Sequence, residues 1–139
     1  MPELPELEAL VRDLSPSVVG RTIVCVEVHK PKLFNAAPGL NLEDLFGRRI
    51  ERIWRRGKFT VWELSDGLSL IVHLKLAGQM VHVGREGMEL AHAGHPVPMW
   101  GTPMPHKSSH VMFYLDDGSI LYLTDIRQFA RVHLIDASP

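Results

Sequence analysis

A proline in second position followed by glutamates, Met1-Pro2-Glu3-Leu4-Pro5-Glu6-Leu7-Glu8, is the stretch of this chain best suited to covalent chemistry. Removal of Met1 would leave the secondary amine of Pro2 as the N-terminus. Free α-amines titrate at about 7.7–8.0, roughly two units or more below lysine, so a useful fraction is neutral and nucleophilic at neutral pH. Glu3 and Glu6 are spaced to share one helical face, which sets two candidate proton carriers beside that amine. The positive end of a helix lowers the amine pKa and the two carboxylates raise it again. An amine tuned in this way can attack an electrophilic sugar carbon and form a Schiff base. A structural reading uses the same residues: Pro2 and Pro5 start a helix and the glutamates complement its dipole.

The elements that would hold this stretch can be read from periodicity. Leu7, Leu10, Val11 and Leu14 recur at helical spacing, which predicts an amphipathic helix that Pro16 ends. Thr22–Val28 is rich in β-branched residues and predicts a strand. Residues 31–40, with Pro31, Pro38 and Gly39, read as a loop. Asn41 to Gly47 reads as a short helix capped by Asn41 and stopped by Gly47. From there strands dominate: Arg48–Trp54, then Phe59–Leu64 and Leu68–Leu74 joined through Ser65-Asp66-Gly67, then His110–Leu115 and Ser119–Thr124 around Asp117-Gly118, then Arg131–Ile135. Strands joined by tight turns predict an antiparallel sandwich or barrel with the N-terminal helix packed on it. Gly84–Ser109, with four prolines and four glycines, reads as a long loop, functional or disordered.

Composition narrows the function classes. With 139 residues the chain is one domain, able to bury roughly two-thirds of its unfolded surface. No run of eighteen apolar residues and no basic segment leading into an apolar one is present, so neither a membrane span nor export is expected. The single cysteine, Cys25, excludes an internal disulfide and a cysteine zinc site, which fits a reducing cytoplasm. His92, His95, His106 and His110 match no ordered zinc spacing, so solvated loop histidines, a structural His110 leading into a strand and no metal are expected. The net charge of −1 argues against a uniformly basic nucleic-acid surface. Locally the balance differs, because residues 48–58 hold six of the fifteen lysines and arginines against one acid, Glu51. That is the local excess a phosphate-binding stripe needs, and equally what protects a solvated edge strand.

The hexamer Met1-Pro2-Glu3-Leu4-Pro5-Glu6 resembles, letter for letter, the opening of the formamidopyrimidine-DNA glycosylase (Fpg/Nei) family. Three further segments agree. Arg55-Arg56-Gly57-Lys58-Phe59 is similar to the family's R-R-G-K-Y, His73-Leu74-Lys75-Leu76-Ala77-Gly78 to its H-L-x-M-[ST]-G, and Asp125-Ile126-Arg127-Gln128-Phe129-Ala130 to its D-P-R-R-F-G turn. Lys107-Ser108-Ser109-His110-Val111 lines up with K-H-D-H-V, with Ser108 in place of a histidine that contacts DNA.

The resemblance implies a mainly β (α+β) fold, a two-layer antiparallel sandwich with an N-terminal helix and one further short helix. It also implies a bifunctional DNA glycosylase and abasic-site lyase acting on oxidised or ring-opened purines. Pro2, Glu3, Glu6 and Lys58 would be catalytic: Pro2 as nucleophile, Glu3 as proton donor to the sugar ring oxygen, Glu6 to position water or the lesion, and Lys58 at the flanking phosphate and in the elimination step. Arg55, Arg56, His73, Lys75, Leu76, Lys107, Ser108, Arg127 and Phe129 would contact DNA. Leu76 would fill the gap left by a flipped base, and Leu74 would be core. Arg127 would reach the opposite base with Phe129 wedged beside it. Ile126, Gln128 and Ala130 depart from the turn pattern, so a phosphate contact is lost and the loop shape is open.

The resemblance spans all 139 residues but only the family's first domain. Its helix-two-turn-helix and zinc-bearing hairpin are expected to lie outside this chain, which then needs no cofactor and acts as a monomer on damaged double-stranded DNA in the cytoplasm. A non-catalytic DNA-binding or interaction module derived from the same domain is the alternative.

Overall fold

The computed structural model describes residues 4–137. Helix α1 (Leu4–Val18) buries Leu7, Leu10, Leu14 and Val18 on one stripe. Full burial of each such side chain is worth roughly 1.5–3 kcal/mol, which fixes the helix on the strands beneath it. Pro16 does not end α1. It lies in the last turn with its ring exposed, so the helix lacks only the bond that the carbonyl of Arg12, itself on the exposed side, would have accepted.

Ten strands follow: β1 (Ile23–Val28), β2 (Phe34–Ala36), β3 (Ile50–Arg56), β4 (Phe59–Leu64), β5 (Leu68–His73), β6 (Gly78–Val83), β7 (Glu89–Gly94), β8 (Ser109–Leu115), β9 (Ile120–Asp125) and β10 (Arg131–Asp136). They form two five-stranded sheets, ordered β1-β8-β9-β6-β7 and β2-β10-β5-β4-β3. The core lies between them, where Ile23, Met80, Phe113 and Leu121 of one sheet and Ile50, Trp62, Leu70 and Val72 of the other are buried. This is the expected mainly β sandwich. One pairing, β2 with β10, is parallel.

Three strands depart from the sequence reading. The expected loop at residues 31–40 contains β2, because Phe34–Ala36 pairs with Val132–Leu134 far along the chain. The expected loop at Gly84–Ser109 contains β7, which pairs with β6 and lies under α1. Strand β6 is hidden in the sequence because both its faces are buried and each carries a polar residue, Gln79 on one and His82 on the other, which breaks an apolar pattern. The expected helix after Asn41 is a single 3-10 turn (Leu42–Leu45), closed by the Asn41 N–H donating to Asp44 Oδ2 at 2.8 Å.

His82 is fully buried and joins three elements. Its Nε2 lies 2.7 Å from Ser119 Oγ, while Nδ1 meets the Ser17 hydroxyl of α1. Because the Ser119 hydroxyl donates to Asp117, its oxygen accepts from Nε2–H, which leaves Nδ1 as the acceptor for Ser17. Protonation at Nδ1 would remove that acceptor, and burial lowers the His82 pKa against a smaller opposing pull from Asp117. Burial also lowers the pKa values of His73 and His110. A histidine whose folded pKa is depressed binds its proton more readily when unfolded, so stability present above the ordinary value of 6.5 is lost as pH falls through the folded value. The melting temperature is therefore expected to fall between pH 7.5 and 5.5, and less steeply in His82→Gln. Parallel profiles for the two proteins would show that His82 is not a source of the slope.

Candidate functional site

Pro2 and Glu3 lie outside the described residues. Glu6, half-buried in the first turn of α1, and Glu8, exposed two residues later, are described. The remaining expected site residues come from strand ends and turns, with Arg55 bonded to Glu8 near that helix start.

Strands β3 and β4 are joined by a two-residue turn, Gly57-Lys58, with Gly57 at φ 59°. Positive φ at the first central position is what a type II′ hairpin demands and what glycine supplies without strain, so Lys58 is exposed at the tip. The two arginines before it separate because successive strand residues face opposite ways. Arg55 donates from Nε to Glu8 Oε1 at 2.6 Å and from Nη1 to the Gly57 carbonyl at 2.9 Å, so it ties α1 to the Lys58 turn. Arg56 lies on the outer sheet face, beside an apolar groove lined by Trp54, Val61, Ile71 and Ile135.

The basic run is less available than its composition suggests. Arg48 pairs with Asp66, Arg49 with Glu51, Arg52 with Glu63 and Arg55 with Glu8. Strand β3 is also the edge of its sheet. Most of the stretch 48–58 is thus a charged edge whose cations are already matched, with Arg56 and Lys58 outside these pairs.

After β5 the chain bends sharply. Leu74 is buried and Leu76 is 43% exposed. The bend closes through Gly78 N–H donating to the Leu74 carbonyl at 3.1 Å, and a Cβ on Gly78 would stand 2.6 Å from that same oxygen. Only glycine permits the approach that turns Leu76 outward. Lys75, between the two leucines, sits at φ 55°, a strained conformation for a residue with a Cβ.

The loop after β9 is built on a buried carboxylate. Asp125 accepts from the backbone N–H groups of Arg127 (2.8 Å), Phe129 (2.9 Å) and Ala130 (2.7 Å). This closure needs neither a proline at 126 nor a glycine at 130: Ala130 is fully buried, and the left-handed residue is Gln128 at φ 60°. Phe129 is 40% exposed and therefore not core, and the Arg127 guanidinium lies 5.6 Å from its ring centroid. Lys107 is exposed, and Ser108 follows against this loop, its carbonyl accepting from the Asp125 N–H at 2.9 Å. His110 is buried, with Nε2 donating to the Asp125 carbonyl at 3.0 Å.

These turns meet around an open cleft of about 420 Å³ lined by His73, Lys75, Leu76, Phe129 and Arg131. The His73 ring lies 4.8 Å from that of Phe59, the residue after Lys58. Its Nε2 is buried without a hydrogen-bond partner among the described residues. Burial first, and then the charges of Lys75, Lys58 and His133, lower its pKa and favour the neutral ring. The lysines whose charges reach this ring, Lys75 and Lys58, are the groups here suited to an anionic ligand.

Arg131, which lines the cleft, and Asp125, which closes the loop beside it, are not among the residues the sequence singles out. Alternation along β10 would have set Arg131 on the outer face with His73, its cross-strand partner, but only once the register was known. Among the described residues no group of three or more His, Cys, Asp or Glu could hold a metal. His92 stacks on Trp100 and bonds Glu89, and His106 Nδ1 accepts from the Ser108 N–H. Among the described residues no helix is long and apolar enough to cross a membrane.

Residues 1–132 match the model of the formamidopyrimidine-DNA glycosylase N-terminal domain. A formamidopyrimidine-DNA glycosylase of Heliobacterium modesticaldum is 39% identical over 136 residues, covering 97% of this chain and 44% of that protein. One of Ruegeria pomeroyi is 36% identical over 135 residues, covering 97% and 45%. Among solved structures, the Lactococcus lactis Fpg bound to DNA containing N7-benzyl-Fapy-dG superposes with a TM-score of 0.78 at 28% identity, covering 98% of this chain and 44% of that one. The same protein with abasic-site DNA gives 0.76 at 28%. The chain thus spans less than half the length of these relatives, and with nearly its whole length matched it belongs to the formamidopyrimidine-DNA glycosylase family.

Proposed function

We propose that the chain is the catalytic first domain of a base-excision-repair DNA glycosylase and abasic-site lyase that removes oxidised or ring-opened purines from duplex DNA. It acts as a monomer, in the cytoplasm, on damaged double-stranded DNA. The observation that carries the reading is the convergence of Lys58, His73, Lys75, Leu76 and the Arg127–Phe129 pair at one end of the sandwich, where α1 also begins. The DNA-bound Lactococcus lactis neighbours support it.

In this reading the Pro2 nitrogen attacks C1′ while Glu3 protonates the ring oxygen, and the bond to the damaged base breaks. Loss of the amine proton leaves the proline nitrogen and the ring oxygen both on C1′, and cleavage of the C1′–O4′ bond, its electron pair leaving on the protonated ring oxygen, then gives an iminium at C1′. Glu6 positions water or the lesion. Lys58 holds the flanking phosphate and assists the elimination that cuts the strand. Lys107, Ser108, Arg55 and Arg56 complete the DNA contacts, with Arg55 acting mainly by holding α1 to the Lys58 turn.

The deciding experiment is borohydride trapping on a duplex containing Fapy-dG. A covalent adduct supports catalysis through an amine; binding without an adduct by protein starting at Pro2 would favour the non-catalytic DNA-binding module.

Leu76 gives a separate expectation. With 43% of its surface exposed, Leu76→Ala should change stability by no more than about 0.5 kcal/mol, where a core leucine would cost roughly 2–5. Lesion-duplex affinity should fall, because nothing then fills the vacated stack. A thermal melt beside a lesion-binding titration checks both; unchanged affinity would remove Leu76 as the wedge.

A further inference from the structure

We infer that Arg131 is a phosphate-binding residue of this site and supplies, from the first position of β10, the cation that Gln128 does not. The inference rests on the DNA reading above and adds a contact that none of the matched motifs contains.

Position is the first argument. Arg131 lies directly across from His73 in the β10–β5 register and lines the cleft with His73, Lys75, Leu76 and Phe129. It therefore stands beside the one cleft imidazole whose buried nitrogen lacks a partner.

The state of the guanidinium is the second. Nη1 donates to the carbonyls of Gln128 at 3.1 Å and Ala130 at 2.8 Å. Both bonds use the same nitrogen, so the head group is oriented while Nε and Nη2 have no hydrogen-bond partner among the described residues. No described carboxylate lies in ion-pair range of it, unlike Arg12, Arg21, Arg48, Arg49, Arg52 and Arg55, each paired with an acid. A pre-oriented guanidinium with an unused donor edge loses little side-chain entropy on binding a phosphate oxygen.

The placement of Gln128 is the third. It sits at the left-handed corner of the Asp125 loop, and the guanidinium of Arg131 folds back onto its carbonyl. The cation is thereby kept in the same loop although it is three residues further along the chain.

The test measures binding of the full chain to a duplex carrying a tetrahydrofuran abasic analogue, as a function of salt. Each phosphate neutralised contributes about 0.9 to the slope of log K against log salt, so Arg131→Gln should reduce the magnitude of the slope by about 0.9 and weaken binding at fixed low salt. Arg131→Lys keeps the charge and should keep the slope. Arg85→Gln, an equal change of charge at an exposed arginine outside the cleft, should leave it unaltered. Thermal melts of each variant confirm folding, and Arg131→Met, which keeps the aliphatic stem without the charge and should lower the slope by the same amount, carries the test if Arg131→Gln folds poorly. An unchanged slope in Arg131→Gln, alongside a reduced slope in Lys58→Gln, would overturn the role of Arg131 and leave the DNA reading standing. Equal reductions in Arg131→Gln and Arg85→Gln would also overturn it, by tracing the effect to overall charge. Absence of salt-dependent binding by the unaltered chain would overturn both readings.

Discussion

Protein that starts at Pro2 should be trapped covalently on abasic duplex by borohydride, and protein that keeps Met1 should not be trapped through that nitrogen at all. With Met1 attached, the proline nitrogen is part of an amide whose lone pair is delocalised into the carbonyl. The rotational barrier of about 18–20 kcal/mol gives the scale of that delocalisation. At about 1.4 kcal/mol per decade of rate, giving it up for attack would remove any measurable reaction. Pro2→Gly keeps a free amine and should retain part of the trapping. Glu3→Gln should impair release of a damaged base by roughly 10²–10⁴-fold, the usual worth of a positioned general acid. Its effect on a preformed abasic site should be much smaller, because that sugar already opens to an aldehyde. Gel analysis of trapped adducts on lesion and abasic duplexes reads all four results. Equal trapping with and without Met1 would assign the nucleophile to another amine, with Lys58 the first candidate.

The helix, β4 and the hairpin turns were legible because their signals are local. Leu7, Leu10 and Leu14 mark one stripe, Phe59–Leu64 coincides with its strand, and Asp117-Gly118 marks a tight turn. Strands β2, β6 and β7 were not, because what makes them strands is distant. Phe34–Ala36 is fixed by pairing with β10, about a hundred residues away. Gln79 is buried with its NH₂ donating to the carbonyls of His95 and Pro98 at 2.8 and 3.0 Å, while its Oε1 has no partner among the described residues.

The same limit applies to the site. The family resemblance singles out Lys58, Leu76 and Phe129, and each of them is exposed. It could not show that Arg55 is held by Glu8, 47 positions earlier, or that the basic stretch is largely matched by acids from neighbouring strands and turns. Charge counted along a sequence overstates the charge a partner meets once cross-strand pairing is made.

Asp125→Ala should cost at least roughly 1.5–3 kcal/mol, the largest stability loss expected from one polar substitution in the site. The carboxylate is fully buried and accepts three backbone N–H bonds. Hydrogen bonds to a charged acceptor contribute roughly 1.5–3 kcal/mol, and a buried donor left without a partner loses about 1–3 kcal/mol. Arg127 and Phe129 are exposed and their amides can turn to water, whereas the Ala130 amide belongs to a residue with no exposure. The unmet bond at Ala130 therefore sets the lower bound. Asp125→Asn separates the two ends of the loop. Its single amide oxygen, placed where Oδ2 stands, can still accept from Phe129 and Ala130, but its NH₂ then faces the Arg127 N–H, donor against donor. Asn should accordingly cost less stability than Ala and yet release Arg127 from its position over Phe129. Urea melts give the order of the two losses, and hydrogen exchange at residues 127, 129 and 130 shows which end has opened. If Asp125→Ala kept the melting midpoint and the protection of the Ala130 amide, burial of Ala130 and not the carboxylate would be what shapes the loop.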